Sequence, residues 1–306
     1  MGGDKMVREV GRFLTASKQG GYSDATLKQY EWHLEKAVLW LSGRGVERVS
    51  DIDRDLLREW GAELRDRWSP ATIRQAVCAV RAFFLWLYEE EVINSDPGRA
   101  LKLPRVPQRV QRTLTAGEVA RLLTACDPGT TKGARDIALI NTLVDTGLRA
   151  SEIVAVSVGN VNLEARFLLV RVKGGRFEPA YFGDTVVGAL EAWLDVRSGV
   201  ARAGVETVFV SVGGGTPGRP LTTRGLRMIL KRLGDSVDVA GVSPHAFRRG
   251  FACIADEAGA PTRQIQLAGR WKNIREVERY TLALRRGKLH QRWSPADYVA
   301  NNDLDP

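Results

Sequence analysis

Apolar positions recur at helical spacing through the first hundred residues. Leu27, Tyr30, Leu34, Val38 and Leu41 form one stripe behind Ser23 or Asp24, either of which can cap a helix, and Gly43 offers its stop. A second helix is predicted over 53–66, with Leu56, Leu57, Trp60 and Leu64 on one side. A third opens at Ser69-Pro70, a capping residue followed by proline in the first turn. It carries Val77, Val80, Phe84 and Leu87 inward and stops before Asp96-Pro97, and the aromatic residues of this region read as core. The periodicity then breaks in LPRVPQRVQRT at 103–113, with two prolines and three arginines. This reads as a linker whose arginines are either solvated or follow a phosphate backbone.

Beyond it the pattern resumes. Thr115-Ala-Gly-Glu118 fits a capping box, and 134–145 reads as a buried helix ended by Gly147. FLLVRVKGGRFEPAYF at 167–182 sets two β-rich runs around Gly174-Gly175, a hairpin signal. Helices are expected near 185–197 and 222–233 with a short strand, VFVSV, between them, and again at 245–258, 261–268 and 273–286. There is no internal repeat. The expected fold class is mainly α with a small antiparallel β-sheet, in a helical N-terminal domain followed by a second, mostly helical one.

Composition narrows the class. The 306 residues suit two domains of ordinary size, and 44% hydrophobic with 26% charged residues is usual for a globular protein. No apolar run approaches the roughly 20 residues a membrane span needs, and the N-terminus lacks the layout of a signal peptide, so a cytoplasmic protein is expected. Cys78, Cys126 and Cys253 lie far apart, and the histidines number three. Neither a disulfide framework nor a metal site is expected. The net charge of +9 invites a polyanionic partner. Residues 1–111 carry 18 basic and 16 acidic side chains and the remainder 27 and 20, so the excess lies mainly in the second part.

Four short segments could carry chemistry. In TGLRASEI, Arg149 emerges past a helix end and Glu152 could lock its fork, or the two form an ordinary ion pair. Lys173 stands at the hairpin tip, able to reach a phosphate or donate a proton, or simply solvated. In SPHAFRRGFA, His245 and Arg248 share one face near a helix start that favours anions, although HxxR is common by chance. In LAGRWKNIREVERYTLAL, Trp271 offers an indole N–H and Tyr280 follows nine residues later; each could equally be a packed ring.

Taken in order, TGLRASE, the hairpin lysine, HAFR, AGRW and the later tyrosine resemble the tyrosine recombinase (phage integrase) family, which includes the Xer proteins and Cre. The resemblance covers nearly the whole chain. It implies a helical, SAM-like core-binding domain at 1–104, a linker at 105–113, a catalytic domain at 114–286 and a C-terminal tail at 287–306. It also implies a site-specific recombinase that cuts and rejoins DNA through a 3′-phosphotyrosyl intermediate, without ATP, metal or other cofactor. Arg149 and Arg248 would clamp the scissile phosphate, since the guanidinium fork matches phosphate geometry. Lys173 would protonate the leaving 5′-oxygen. His245 would hydrogen-bond the phosphate and help deprotonate the nucleophile, Trp271 would donate to a non-bridging oxygen, and Tyr280 would attack. Glu152 would support the arginine and histidine positions. Two positions depart from the pattern. Trp271 stands where most members have histidine, and tryptophan cannot act as a base. Arg249 stands where many have histidine, and either adds a phosphate contact or is solvated.

By the same resemblance the two domains would close as a C-shaped clamp on duplex DNA with inverted-repeat core sites. Candidate phosphate contacts are Arg74, Arg81, Arg105, Arg176, Arg224 and Lys231. A first strong helix near Ser23 leaves no room for a separate arm-binding domain. The tail, with Trp293, Tyr298 and Val299, would dock on a neighbouring protomer of a homotetrameric synaptic complex, with docking in cis or a frayed end as the alternative. An accessory directionality factor is left open. Two other readings are a type IB topoisomerase and a DNA-binding accessory protein without catalysis.

Overall fold

The computed structural model describes residues 2–107, 112–172, 174–282 and the single position 296. Lys173 and the tail residues Trp293, Tyr298 and Val299 fall outside the described residues. The chain divides into two compact units, 1–109 and 110–306.

The first unit is built of four helices, α1 (Gly2–Gln19), α2 (Asp24–Ser42), α3 (Arg54–Arg67) and α4 (Pro70–Glu89). Three of them start where the sequence places a capping oxygen. Ser23, Asp53 and Ser69 each accept a hydrogen bond from the backbone N–H three residues on. Helix α1 corrects the expectation that the first helix begins near Ser23. Its Met6, Val10 and Phe13 fall one face apart and are buried against α2 and α4. Helix α4 ends at Glu89, earlier than Asp96, because Glu91 turns into the left-handed region at φ 56°. The core joins Leu34, Leu57, Trp60, Phe84 and Leu87 to the α1 stripe.

The second unit wraps α6 (Thr131–Thr146). It follows α5 (Ala116–Thr124), whose capping box is formed as expected, with Glu118 N–H on Thr115 Oγ1 and Thr115 N–H on Glu118 Oε2. α6 packs on α8 (Asp184–Arg197) and on α10 (Pro244–Glu257). Between α7 (Ala150–Ala155) and α8 lies a three-stranded antiparallel sheet of order β1-β2-β3: Val161–Asn162, Phe167–Arg171 and Phe177–Tyr181. The hairpin pairs Phe167 with Tyr181 through Arg171 with Phe177, and Gly174 and Gly175 turn it at positive φ. α9 (Thr223–Ser236), α11 (Thr262–Ala268) and a helix at 274–282, here α12, complete the described residues.

The expected strand VFVSV is not part of the sheet. Val208, Phe209 and Val210 are fully buried, but the segment makes only isolated bridges, Ser157 to Thr207 and Val210 to Pro220. Trp193 Nε1 and Arg197 Nε both donate to the Val208 carbonyl, and the Phe209 and Ser211 carbonyls accept the backbone N–H groups of Leu221 and Gly218, so the segment pairs locally with 218–221 instead of joining the sheet.

Candidate active site

Gly147 opens the site. It caps α6 in the left-handed conformation, φ 57°, and donates its N–H to the Leu143 carbonyl. A Cβ there would meet Phe251 Cδ1 at 2.8 Å, so the turn needs glycine for space as well as for φ. Two residues later Arg149 occupies the position before α7. Glu152, buried at 4% side-chain exposure, accepts the Arg149 backbone N–H at 2.9 Å and its Nη1 at 2.7 Å. One carboxylate thus fixes both ends of an arginine whose own side chain stays half exposed.

α10 brings the second cation. Ser243 accepts from the Ala246 N–H and Pro244 sits in the first turn, so His245 lies at the helix start, exposed, with Arg248 one turn on. Arg248 is almost fully buried. Its Nη1 donates to the Gly147 carbonyl at 2.5 Å and its Nη2 to the Gly269 carbonyl at 2.7 Å, which ties two distant turns to one guanidinium. Burial, with Arg149 beside it, brings the Arg248 pKa down to about 10, so it remains a cation at neutral pH. The His245 pKa is lowered too, first by lost hydration and then by the Arg249, Arg248 and Arg149 guanidiniums. Its ring is therefore neutral at pH 7 and free to accept a proton.

The third wall is aromatic. Arg248 lies over the Trp271 ring, 4.2 Å from its centre. Trp271 stacks on Phe251 at 6.0 Å and tilts against Tyr280 at 6.2 Å between ring centres. A small separate core of Phe251, Ala252, Ile265, Trp271 and Val277 supports the half-buried Tyr280 on α12. No hydrogen bond reaches the Trp271 indole N–H among the described residues.

Arg149, Glu152, His245, Arg248, Trp271 and Tyr280 are therefore gathered on one side of the second unit. Arg249 departs from the expectation of a solvated side chain. It is buried, and its Nε donates to the Arg112 carbonyl at 2.7 Å, so it fastens the start of the second unit to α10. Arg270 was passed over by the sequence reading, although it lies inside AGRW. Its buried guanidinium donates to the Ala268 carbonyl at 2.9 Å and the Thr146 carbonyl at 3.3 Å, and its Nη2 lies 3.8 Å from Glu152 Oε2. Among the described residues no cluster of three or more His, Cys, Asp or Glu could hold a metal ion.

The candidate DNA contacts are spread over both units. Arg74 and Arg81 on α4 and Arg105 are exposed in the first, and Arg176 after the hairpin turn and Arg224 on α9 are exposed in the second. Lys231 differs from them, since its Nζ is paired with Asp235 at 2.6 Å. No described helix is long and apolar enough to cross a membrane.

Comparison with known proteins places both parts of the chain in a family. Residues 112–285 match the phage integrase family, and residues 12–91 match the phage integrase N-terminal SAM-like domain. The chain is 27% identical over 282 residues to the tyrosine recombinase XerD of Staphylococcus haemolyticus, covering 91% of this chain and 94% of that protein. It is 29% identical over 268 residues to XerC of Roseiflexus castenholzii, covering 85% and 84%. Two solved structures share the fold. A lambda integrase dimer bound to a COC′ core site gives a TM-score of 0.69 at 16% identity, over 90% of this chain and 77% of that one. XerH bound to a palindromic difH substrate gives 0.67 at 16%, over 91% and 80%. With both of its parts matched in order, the chain belongs to the phage integrase family, the tyrosine recombinases.

Proposed function

We propose that this chain is a site-specific DNA recombinase whose nucleophile is Tyr280. One observation carries the reading: Tyr280 packs against Trp271, whose ring lies under the Arg248 guanidinium, so a phenol and a buried cation share one wall. In the proposed reaction Tyr280 Oη attacks the scissile phosphorus and gives its proton to neutral His245. The bond from phosphorus to O5′ breaks as the phosphotyrosyl bond forms, and O5′ takes a proton from Lys173. The 3′-phosphotyrosyl ester keeps the bond energy, so a second 5′-hydroxyl can reverse the step on a new strand without ATP. Arg149 and Arg248 stabilise the charge on the non-bridging oxygens, and the Trp271 N–H is available to one of them. The Trp271 indole has no basic lone pair to take up a proton, so base catalysis falls to His245.

We assign the core-binding role to 1–104, the linker to 105–113, catalysis to 114–286, and a neighbour-docking role to the tail at 287–306. The expected partner is duplex DNA with inverted core sites, held by a tetramer in the cytoplasm. The exposed arginines named above are the expected phosphate contacts, with Lys231 the weakest member because of its ion pair. A supercoiled plasmid carrying paired candidate sites tests this reading against the two others. Exchange of the segments between sites supports it. Relaxation at unrelated sequences would mean a topoisomerase, and binding with no strand cleavage an accessory protein.

A further inference from the structure

Two guanidiniums, those of Arg149 and Arg270, approach one buried carboxylate, Glu152, at 2.7 and 3.8 Å, while Arg248 spends its donors on the Gly147 and Gly269 carbonyls. Arg270 is the one with no part in the chemistry above, and it is held at evident cost. Its backbone lies at φ 55°, a conformation that residues with a side chain seldom adopt. Its side chain is 7% exposed, and its Nε is buried with no acceptor. Burial comes first among the causes lowering its pKa, with Glu152 opposing and Arg149 adding to the shift. Strain, an unmet donor and like-charge proximity together persist where function requires them.

The role follows from the competition for Glu152. Arg149 is exposed on the solvent side and spends its Nη1 on that carboxylate. If Arg149 turned to a phosphate with no other cation near Glu152, a lone buried anion would remain beside the incoming anion. We propose that Arg270 is a positioning residue that neutralises Glu152, so that the charge of Arg149 is available to the scissile phosphate. The same guanidinium holds the Thr146 carbonyl, at the end of α6, and the Ala268 carbonyl, before Trp271. It therefore also sets the turn carrying Trp271 against the turn carrying Arg149.

This inference rests on the recombinase reading, and its test separates the two. Wild type, Arg270→Gln, Arg270→Lys and the pair Arg270→Gln with Glu152→Gln are compared in single-turnover cleavage. The probe is one nicked duplex chosen for adduct formation from a randomised pool, and Kd for that duplex and the melting temperature are measured alongside. Arg270→Gln should slow cleavage on the order of tenfold to a hundredfold, with Kd within about twofold, as for other residues that orient a reacting group. Arg270→Lys should recover part of the rate. The paired variant should cleave faster than Arg270→Gln alone, because the unneutralised carboxylate is gone, an outcome a packing role would not give. Wild-type cleavage in Arg270→Gln overturns the inference. So does a loss that Glu152→Gln leaves unmended, or one that follows a lowered melting temperature in all three variants. Absence of any adduct with wild type overturns the recombinase reading itself.

Discussion

His245 shows how one residue's surroundings set its chemistry. Partial loss of water, and then three guanidiniums, lower its pKa, so the free protein carries it neutral at pH 7. The profile of kcat/KM against pH reports the free protein, and its acid limb should lie below the ordinary histidine value of about 6.5. Activity falls as pH drops through that limb, because protonation removes the base. His245→Gln should flatten the limb while lowering the plateau, whereas an acid limb unchanged in His245→Gln would assign it to another group. At this scale order and spacing single out Arg149, His245 and Tyr280 as candidates, and the structure brings them close to Arg248 and Trp271. The sequence was not legible for Arg249 and Arg270. Both are arginines in polar-looking stretches, and only folding shows that backbone carbonyls from distant turns claim them.

Elements whose pattern is local were readable, and those defined by distant partners were not. Capped helices such as α4 and α10 start at the serine the sequence marks, because the cap is satisfied within three residues. VFVSV has the composition of a strand, yet side chains from α8 take the Val208 carbonyl and the residues after it pair with 218–221, outside the sheet. Helix α1 went unread because its stripe is thin and opens on Gly2-Gly3. Its weight in the fold is large all the same: Phe13 lies 5.6 Å from Phe83, 5.8 Å from Trp86 and 6.1 Å from Tyr30, ring to ring. Phe13→Ala should destabilise the first unit by about 3–5 kcal/mol. Urea unfolding of the full chain by tryptophan fluorescence reads this out, and a loss under about 1 kcal/mol would show α1 to be dispensable. The hairpin between β2 and β3 makes a chemical prediction. If Lys173 protonates the leaving O5′, Lys173→Ala should slow cleavage about 100-fold or more, since general acids contribute on that order. Sulfur in place of O5′ needs no proton to leave and should restore most of the rate; equal loss on both substrates would remove Lys173 from that role.

For the whole molecule, charge and modularity matter most. The basic excess sits mainly in the part that holds the candidate active site, and the exposed arginines extend over both units. Division into two units was legible from the break in periodicity at 103–113, a property of the chain itself. Assembly was not, because apolar residues in a polar end do not say by themselves what they pack against. Removing 288–306 should leave DNA affinity within about twofold and reduce synapsis and strand exchange; a truncated protein that recombines at the full rate would deny the tail that role. The central claim is that Tyr280 forms a covalent bond to DNA, and trapping that bond on a nicked duplex tests it most directly. The account predicts a denaturation-resistant protein–DNA adduct that Tyr280→Phe abolishes without loss of binding; an adduct that persists in Tyr280→Phe would contradict it.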